Sequence, residues 1–413
     1  MKRILVVSQH FWPEPFRIND IVEGFVQQDI QVDVLCGLPN YPKGEWFEGY
    51  RYTTPRRQQY KGAQVFRAGE IPRRGNTGPM IFLNYISWPV FALFHLWRLK
   101  GPYDAVLCYN TSPVLMNLPA ILYAKLHRVP LVSYVLDIWP ENLYSVLPVA
   151  NPLLCRIALW VSDWHYKQAD RLIAMSDSLK ERLMERTGFD SSRVWVIPQH
   201  CEDFYAQPGH DPALEQRFAG GFNLLFAGNF SPAQSLDTVI RAVVQAKQQG
   251  AQDLRLILVG DGMSRPQLEQ LAAQLNAQDT VVFAGSTAPQ NIPCYTSLAQ
   301  ALVAPLSASP DLGMTVPAKI ASYMAAAKPI LASMDGEGAR AVEQAQCGYT
   351  SPAQDANALA QRILQLYNTS PQERAAMGQR AFAYYQAHYQ RSSVLEQLVQ
   401  ALSGPAPIND TVR

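Results

Sequence analysis

Phe226-Ala-Gly-Asn229, Leu258-Val-Gly-Asp-Gly262 and Leu312-Gly-Met-Thr-Val-Pro-Ala-Lys319 are three places where an apolar run meets glycine. The first two read as strand ends running into tight turns. Glycine there removes the Cβ that would keep backbone amides away from a phosphate. In the third, Thr315 is the expected N-cap, and Pro317 sits in the first turn of the helix that follows. A helix start beside Gly313 offers free amides and a favourable dipole to a pyrophosphate, and Lys319 adds charge. A single glycine after a strand is more often only a turn. On successive strands of one sheet, the three predict a nucleotide-diphosphate seat drawn from Gly228, Asn229, Gly260, Asp261, Gly262, Gly313, Thr315, Val316 and Lys319.

Working outward, the same rhythm of short apolar runs and amphipathic stretches fills the chain. Strands are expected at 223–227, 255–259, 281–284, 301–304 and 330–332, with the clearest helices at 236–248 and 316–326. The first half repeats the pattern, with strands expected at 3–7, 31–35, 63–67, 105–109, 131–134, 171–174 and 194–197. Such alternation predicts parallel sheets covered by helices. At 413 residues the chain exceeds one ordinary core. The expected fold class is therefore α/β, with two Rossmann-like doubly wound domains facing each other across a cleft. The expected boundaries are 1–205 for a first domain, 206–218 for a linker rich in Pro and Gly, and 219–385 for a second domain. Residues 373–403 read as helix, and the part from about 386 to 403 is expected to pack back on the first domain. A loose tail, 404–413, follows.

Composition excludes several classes. A net charge of +1 argues against nucleic-acid binding. Six scattered cysteines without a CxxC pair fit free thiols in a reducing cytoplasm, not a disulfide framework or zinc site. No His, Glu or Cys group has metal-ligand spacing, and no Asp-x-Asp pair occurs, so no metal and no cofactor are expected. The first strand runs into Ser8-Gln-His-Phe-Trp12 and not a GxGxxG turn, which counts against a dinucleotide enzyme.

Several segments then resemble the family 4 glycosyltransferases. They are Leu302-Val-Ala-Pro305, Thr315-Val-Pro-Ala-Lys-Ile-Ala-Ser-Tyr-Met-Ala325, Lys328-Pro-Ile-Leu331, and Phe226–Asn229 followed by Leu236-Asp-Thr-Val-Ile-Arg-Ala242. In the first half, Phe11-Trp-Pro-Glu-Pro15, Arg17-Ile-Asn-Asp20, Gly37-Leu-Pro-Asn-Tyr-Pro42 and Asp137-Ile-Trp-Pro-Glu141 look like a branch that builds surface glycans: the O-antigen of lipopolysaccharide, capsule and colanic-acid-type glycans. That branch includes N-acetyl-L-fucosamine transferases. The resemblance covers about residues 3–390. It implies a GT-B fold and retaining transfer of a sugar, N-acetyl-L-fucosamine or another N-acetylated hexosamine, from a nucleotide-diphosphate donor such as UDP-sugar. The implied acceptor is a saccharide carried on polyprenyl diphosphate; the resemblance places it on the acceptor-binding domain 1–205, with the donor on the donor-binding domain 219–385.

The pattern also departs from the family. Two donor-site glutamates usual there are replaced by Met314 and Ser322. The cations after the first donor strand are missing too, which leaves Gln234, Thr287, Lys319 and backbone amides to hold the donor. Asp137 stands where a histidine is common. It is expected either to meet the donor sugar or acceptor hydroxyl, or to cap a helix start. Glu14 and Asp137 are the candidate catalytic residues; Arg17, Asn40 and Glu141 are candidates for the acceptor. Two rival readings stay open: a nucleotide-sugar 2-epimerase on the same fold, and a catalytically inactive glycan-assembly subunit.

Residues 51–74 carry seven basic residues against Glu70 alone, and the apolar, aromatic stretch 80–97 follows. That juxtaposition predicts a peripheral protein on an anionic membrane surface, at the inner face of the cytoplasmic membrane. The alternative is a core helix beside a solvated loop.

Overall fold

Val, Ile and Leu dominate the short runs, and their branched side chains suit strands covered on both faces. The computed structural model describes residues 1–141 and 151–404; the predicted tail beyond Gly404 lies outside them. The strands are β1 (Arg3–Val7), β2 (Gln31–Cys36), β3 (Arg57–Tyr60), β4 (Ala63–Arg67), β5 (Ala105–Asn110), β6 (Leu131–Val135), β7 (Arg171–Ala174) and β8 (Val194–Val196) in the first half. The second half has β9 (Phe222–Ala227), β10 (Leu254–Val259), β11 (Val281–Gly285), β12 (Ala301–Pro305), β13 (Ile330–Ser333) and β14 (Gly348–Ser351). They form two sheets, ordered β3-β4-β2-β1-β5-β6-β7-β8 and β11-β10-β9-β12-β13-β14.

Every pairing in the two sheets is parallel except that of β3 with β4. β3 was not expected: Arg-Gln-Gln-Tyr has no apolar alternation. It is recruited by a tight hairpin in which Lys61 and Gly62 both take positive φ, +46° and +94°. In the second sheet, alternate residues enter different cores. Leu224, Phe226, Leu256 and Leu258 face one cluster; Leu225, Ile257, Leu302 and Ala304 face the other. Burial on both faces explains why these strands read as unbroken apolar runs.

The chain divides into one unit of residues 1–197 with 395–413, and a second of residues 198–394. Three sequence expectations shift accordingly. The break comes at 197/198, ahead of the expected linker. The stretch 206–218 is not a linker: it holds helix Pro212–Arg217, capped by the Asp211 carboxylate, and belongs to the second unit. The long C-terminal helix is two helices, Pro371–His388 and Arg391–Ser403. Within the latter the chain returns to the first unit, where the guanidinium of Arg171 donates to the Ala401 carbonyl at 2.6 Å.

Candidate functional site

In the second unit, the turns after β9 and β10 interlock. Gly228 N donates to Val259 O (2.9 Å), and Phe230 N donates to Asp261 O (2.8 Å). Gly260 has φ +139°, and a Cβ there would lie 1.9 Å from the Gly228 carbonyl oxygen. A Cβ on Gly262 would lie 2.4 Å from Asn229 Oδ1. The glycines expected to admit a phosphate are thus also what allows two backbones to touch. Asp261 and Gly262 share this double turn, the Asp261 carboxylate accepting from Gly262 N at 2.8 Å and pairing with Arg265 at 3.4 Å.

Lys319 reaches the same place. Its Nζ lies 4.1 Å from the centre of the Phe226 ring and donates to Gln234 Oε1. A Cβ on Gly228 would lie 3.8 Å from that Nζ. The residue as a whole is only partly buried, but its ammonium head is enclosed, and burial pushes its pKa down to about 7. Among the described residues no carboxylate pairs with it.

The helix carrying Lys319 begins at Ala318 behind Pro317, so Thr315 is not its N-cap. Residues Pro310–Gly313 form a separate single turn. Gly313 faces the turn after β13, where a Cβ on Gly336 would lie 2.1 Å from the Gly313 carbonyl. Met314, Thr315 and Val316 bridge that turn to the helix and are partly exposed. Ser322 is almost buried; its hydroxyl donates to Ala318 O at 3.3 Å and lies 3.7 Å from Cys201 Sγ. Thr287 accepts from Asn291 at 3.1 Å. Sequence reasoning missed Tyr323. Its hydroxyl accepts from Ala227 N at 2.9 Å and so ties the Lys319 helix to the end of β9. The signal was its place four residues after Lys319, on the same helix face.

In the first unit, the catalytic candidate Glu14 and the acceptor candidate Asn40 prove to be interior. Glu14 is 1% exposed. Its Oε1 accepts from Asn40 N (2.8 Å) and Tyr41 N (2.7 Å), and its Oε2 meets His10 Nδ1 at 2.9 Å. With both oxygens engaged, Glu14 holds loops together and does not face an acceptor. Arg73 Nη2 lies 3.1 Å from His10 Nε2. Because a guanidinium only donates, Nε2 accepts and Nδ1 carries the proton towards Glu14. Asn40 is fully buried and donates to Glu70 Oε1 at 2.8 Å. Gln9 and Asn84 donate to Glu70 Oε2 at 2.8 and 3.2 Å. Burial and the neighbouring Glu14 charge push the Glu70 carboxyl well up. This network fastens the loops after β1, β2 and β4 to helix Gly78–Leu93. It also removes Arg73 from the basic surface expected over 51–74. Arg67 is removed as well: it is fully buried and donates to the Gly37 carbonyl at 3.0 Å.

Glu141 is likewise taken. Its oxygens pair with Arg182 at 3.1 Å and Arg186 at 2.9 Å, and Arg186 also pairs with Asp163 at 2.6 Å. Arg186→Ala would leave Asp163 without its cation and Glu141 with Arg182 alone. It is expected to lower stability by about 1–3 kcal/mol, discounted for the partial exposure of Asp163, as a denaturant midpoint would show. Arg17 is half-buried and precedes helix Ile18–Gln27. Asp137 alone of the first-half candidates is open to solvent. Surrounding protein nevertheless raises its carboxyl pKa by desolvation, the direction a group poised for proton transfer needs.

Comparison with known proteins agrees with this architecture. Residues 16–200 match the family described as "Glycosyl transferase 4-like domain", and residues 221–369 match "Glycosyl transferases group 1". A probable glycosyltransferase, WbjE of Pseudomonas aeruginosa, is 27% identical over 62% of this chain and 63% of its own length. The alpha-D-kanosaminyltransferase of Streptomyces kanamyceticus is 23% identical over 67% of this chain and 71% of its own. Among solved structures, sucrose-phosphate synthase from Thermosynechococcus elongatus superposes with a TM-score of 0.74 at 18% identity, covering 97% and 98% of the two chains. Anabaena Alr3699/HepE in complex with UDP does so with 0.69 at 18%, covering 98% and 100%. Both domain families follow in order along two parallel α/β sheets, and the chain belongs to the family 4 glycosyltransferases of GT-B fold.

Proposed function

We propose that the chain transfers a sugar from a nucleotide-diphosphate donor, UDP-linked, onto a lipid-linked saccharide in bacterial surface-polysaccharide synthesis. The observation that carries the donor half is the enclosed ammonium of Lys319. A buried cation without a counter-charge is costly, and a diphosphate seated at the Gly228 and Gly260 turns supplies that charge. Gln234 holds the ammonium in place meanwhile. Such fixed positive charge and backbone amides stabilise the departing diphosphate, so transfer proceeds without a divalent metal. The resemblance supports retention at the anomeric carbon, an N-acetylated hexosamine such as N-acetyl-L-fucosamine as the sugar, and a polyprenyl-diphosphate acceptor at the inner face of the cytoplasmic membrane. The complex of Alr3699/HepE supports UDP. Asp137 is the first-unit residue with access and chemistry to meet the reacting sugars.

The test is calorimetry with UDP, GDP and ADP, followed by turnover of UDP-N-acetylhexosamines with and without EDTA. UDP is expected to bind best, and turnover to persist in EDTA. Turnover that is lost in EDTA and restored by magnesium or manganese overturns the metal-free mechanism. A second reading, an inactive assembly subunit, is favoured by one observation: Met314 and Ser322 occupy the family's glutamate positions, and the Ser322 hydroxyl is spent on Ala318 and Cys201. UDP binding with no hydrolysis or transfer would select it.

A further inference from the structure

Two helices of the first unit turn apolar side chains outward as well as inward. On Gly78–Leu93, Asn84 and Ser87 are buried beside Trp88, Pro89 and Ala92, and Asn84 is tied to Glu70 and Arg73. The outer face instead shows Phe82 (60% exposed) and Val90 (46%). On Pro152–Lys167, Ser162, His165 and Tyr166 are buried, while Leu153 (65%), Ile157 and Trp160 (68%) point outward. Water selects against such outward faces, and a soluble monomer rarely shows a contiguous apolar patch beyond a few hundred Å².

The two helices belong to one surface. Both pack against the turn Val114–Asn117, the first also against helix Leu118–His127. Lys125 on that middle helix lies 5.9 Å over the ring of Trp164 on Pro152–Lys167. Charge on the surface has one sign. Helices Gly78–Leu93, Leu118–His127 and Pro152–Lys167, with the short turn Leu96–Arg98, carry Arg98, Lys125, Arg156 and Lys167. Their one acid, Asp163, is neutralised by Arg186. No helix among the described residues is long and apolar enough to cross a membrane.

We propose that these outward faces together lie in the surface of an anionic bilayer. Their aliphatic and Trp side chains enter the headgroup–acyl boundary, and the four cations meet lipid phosphates. A second copy of the chain fits less well, because pairing the face with itself would set like charges together. The surface deepens the lipid-linked acceptor reading; of the seven basic residues of 51–74, Arg67 and Arg73 are interior and add nothing to its charge.

The experiment is co-sedimentation of the full chain with acceptor-free vesicles of phosphatidylglycerol and phosphatidylcholine, with UDP affinity read separately. The native chain is expected to bind anionic vesicles and to be released by salt. Phe82→Ser/Ile157→Ser/Trp160→Ser is expected to bind at least tenfold more weakly, with an unchanged thermal melt and UDP affinity. Arg98→Gln/Lys125→Gln/Arg156→Gln/Lys167→Gln is expected to lose the salt dependence. Binding that is indifferent to both variants overturns the proposal. So does a native dimer that ignores vesicles and dissociates in the triple-serine variant. Because the vesicles hold no acceptor, this surface and the sugar chemistry fail separately.

Discussion

Lys319→Met is expected to melt at a higher temperature than the native chain while binding UDP about 1–3 kcal/mol more weakly. Methionine keeps the length and packing of the stem and removes the enclosed charge. The ammonium pKa is near 7 in the folded chain against an ordinary value of 10.5. The folded chain therefore binds fewer protons than the unfolded one between those values, and native stability rises with pH across that window. It is lost progressively as pH falls from 10.5 towards 7. The gain from Lys319→Met should thus be greatest at neutral pH and below, on the order of 2–4 kcal/mol, and disappear near pH 10.5. The same titration marks the ligand. A diphosphate favours charged Lys319, so UDP affinity should fall as pH rises above about 7, by up to roughly tenfold per pH unit. Calorimetry at pH 8 in two buffers of different ionisation enthalpy should show proton uptake on binding. Affinity that stays flat from pH 6 to 9, or a variant with unchanged affinity, would remove Lys319 from the donor seat.

Gly260→Ala should abolish detectable UDP binding and cost about 2–4 kcal/mol of stability. Its new methyl would lie 1.9 Å from a backbone oxygen that has no flexible end to swing away. The turns after β9 and β10 would have to part, taking Gly228 from beside Lys319. Gly250→Ala is the control: it also has positive φ, +124°, but open space around it, so it bears backbone strain alone. Equal losses in the two variants would show that strain, and not the close approach of the turns, sets the cost.

The strands were legible because burial on both sheet faces leaves an apolar run that needs no partner to be recognised. β1, β4 and β7 begin and end where expected. β3 was not legible because its place depends on a hairpin with β4 and not on its own side chains. The glycine turns of the donor seat were also readable, since a close approach of backbones demands glycine locally. The polar candidates of the first unit were harder. Glu141 has carboxylate chemistry suited to an acceptor, but its partners Arg182 and Arg186 are more than forty residues away, and only the folded chain shows that they claim it. Glu14, Asn40 and Arg73 were misread for the same reason, each absorbed by a network whose members come from four segments. Helix Gly78–Leu93 was visible as an apolar stretch. Its outward face was not, because apolar residues run almost all the way round it and leave no period to read.

The return of the chain to the first unit at Leu395 has a consequence for biosynthesis. Val394, Leu395, Leu398, Ala401 and Leu402 are buried, and Arg171 waits for the Ala401 carbonyl. The first unit therefore cannot close until the whole of the second has been synthesised, while the second, continuous from 198 to 394, depends on no later stretch of chain. The half that is made first is finished last.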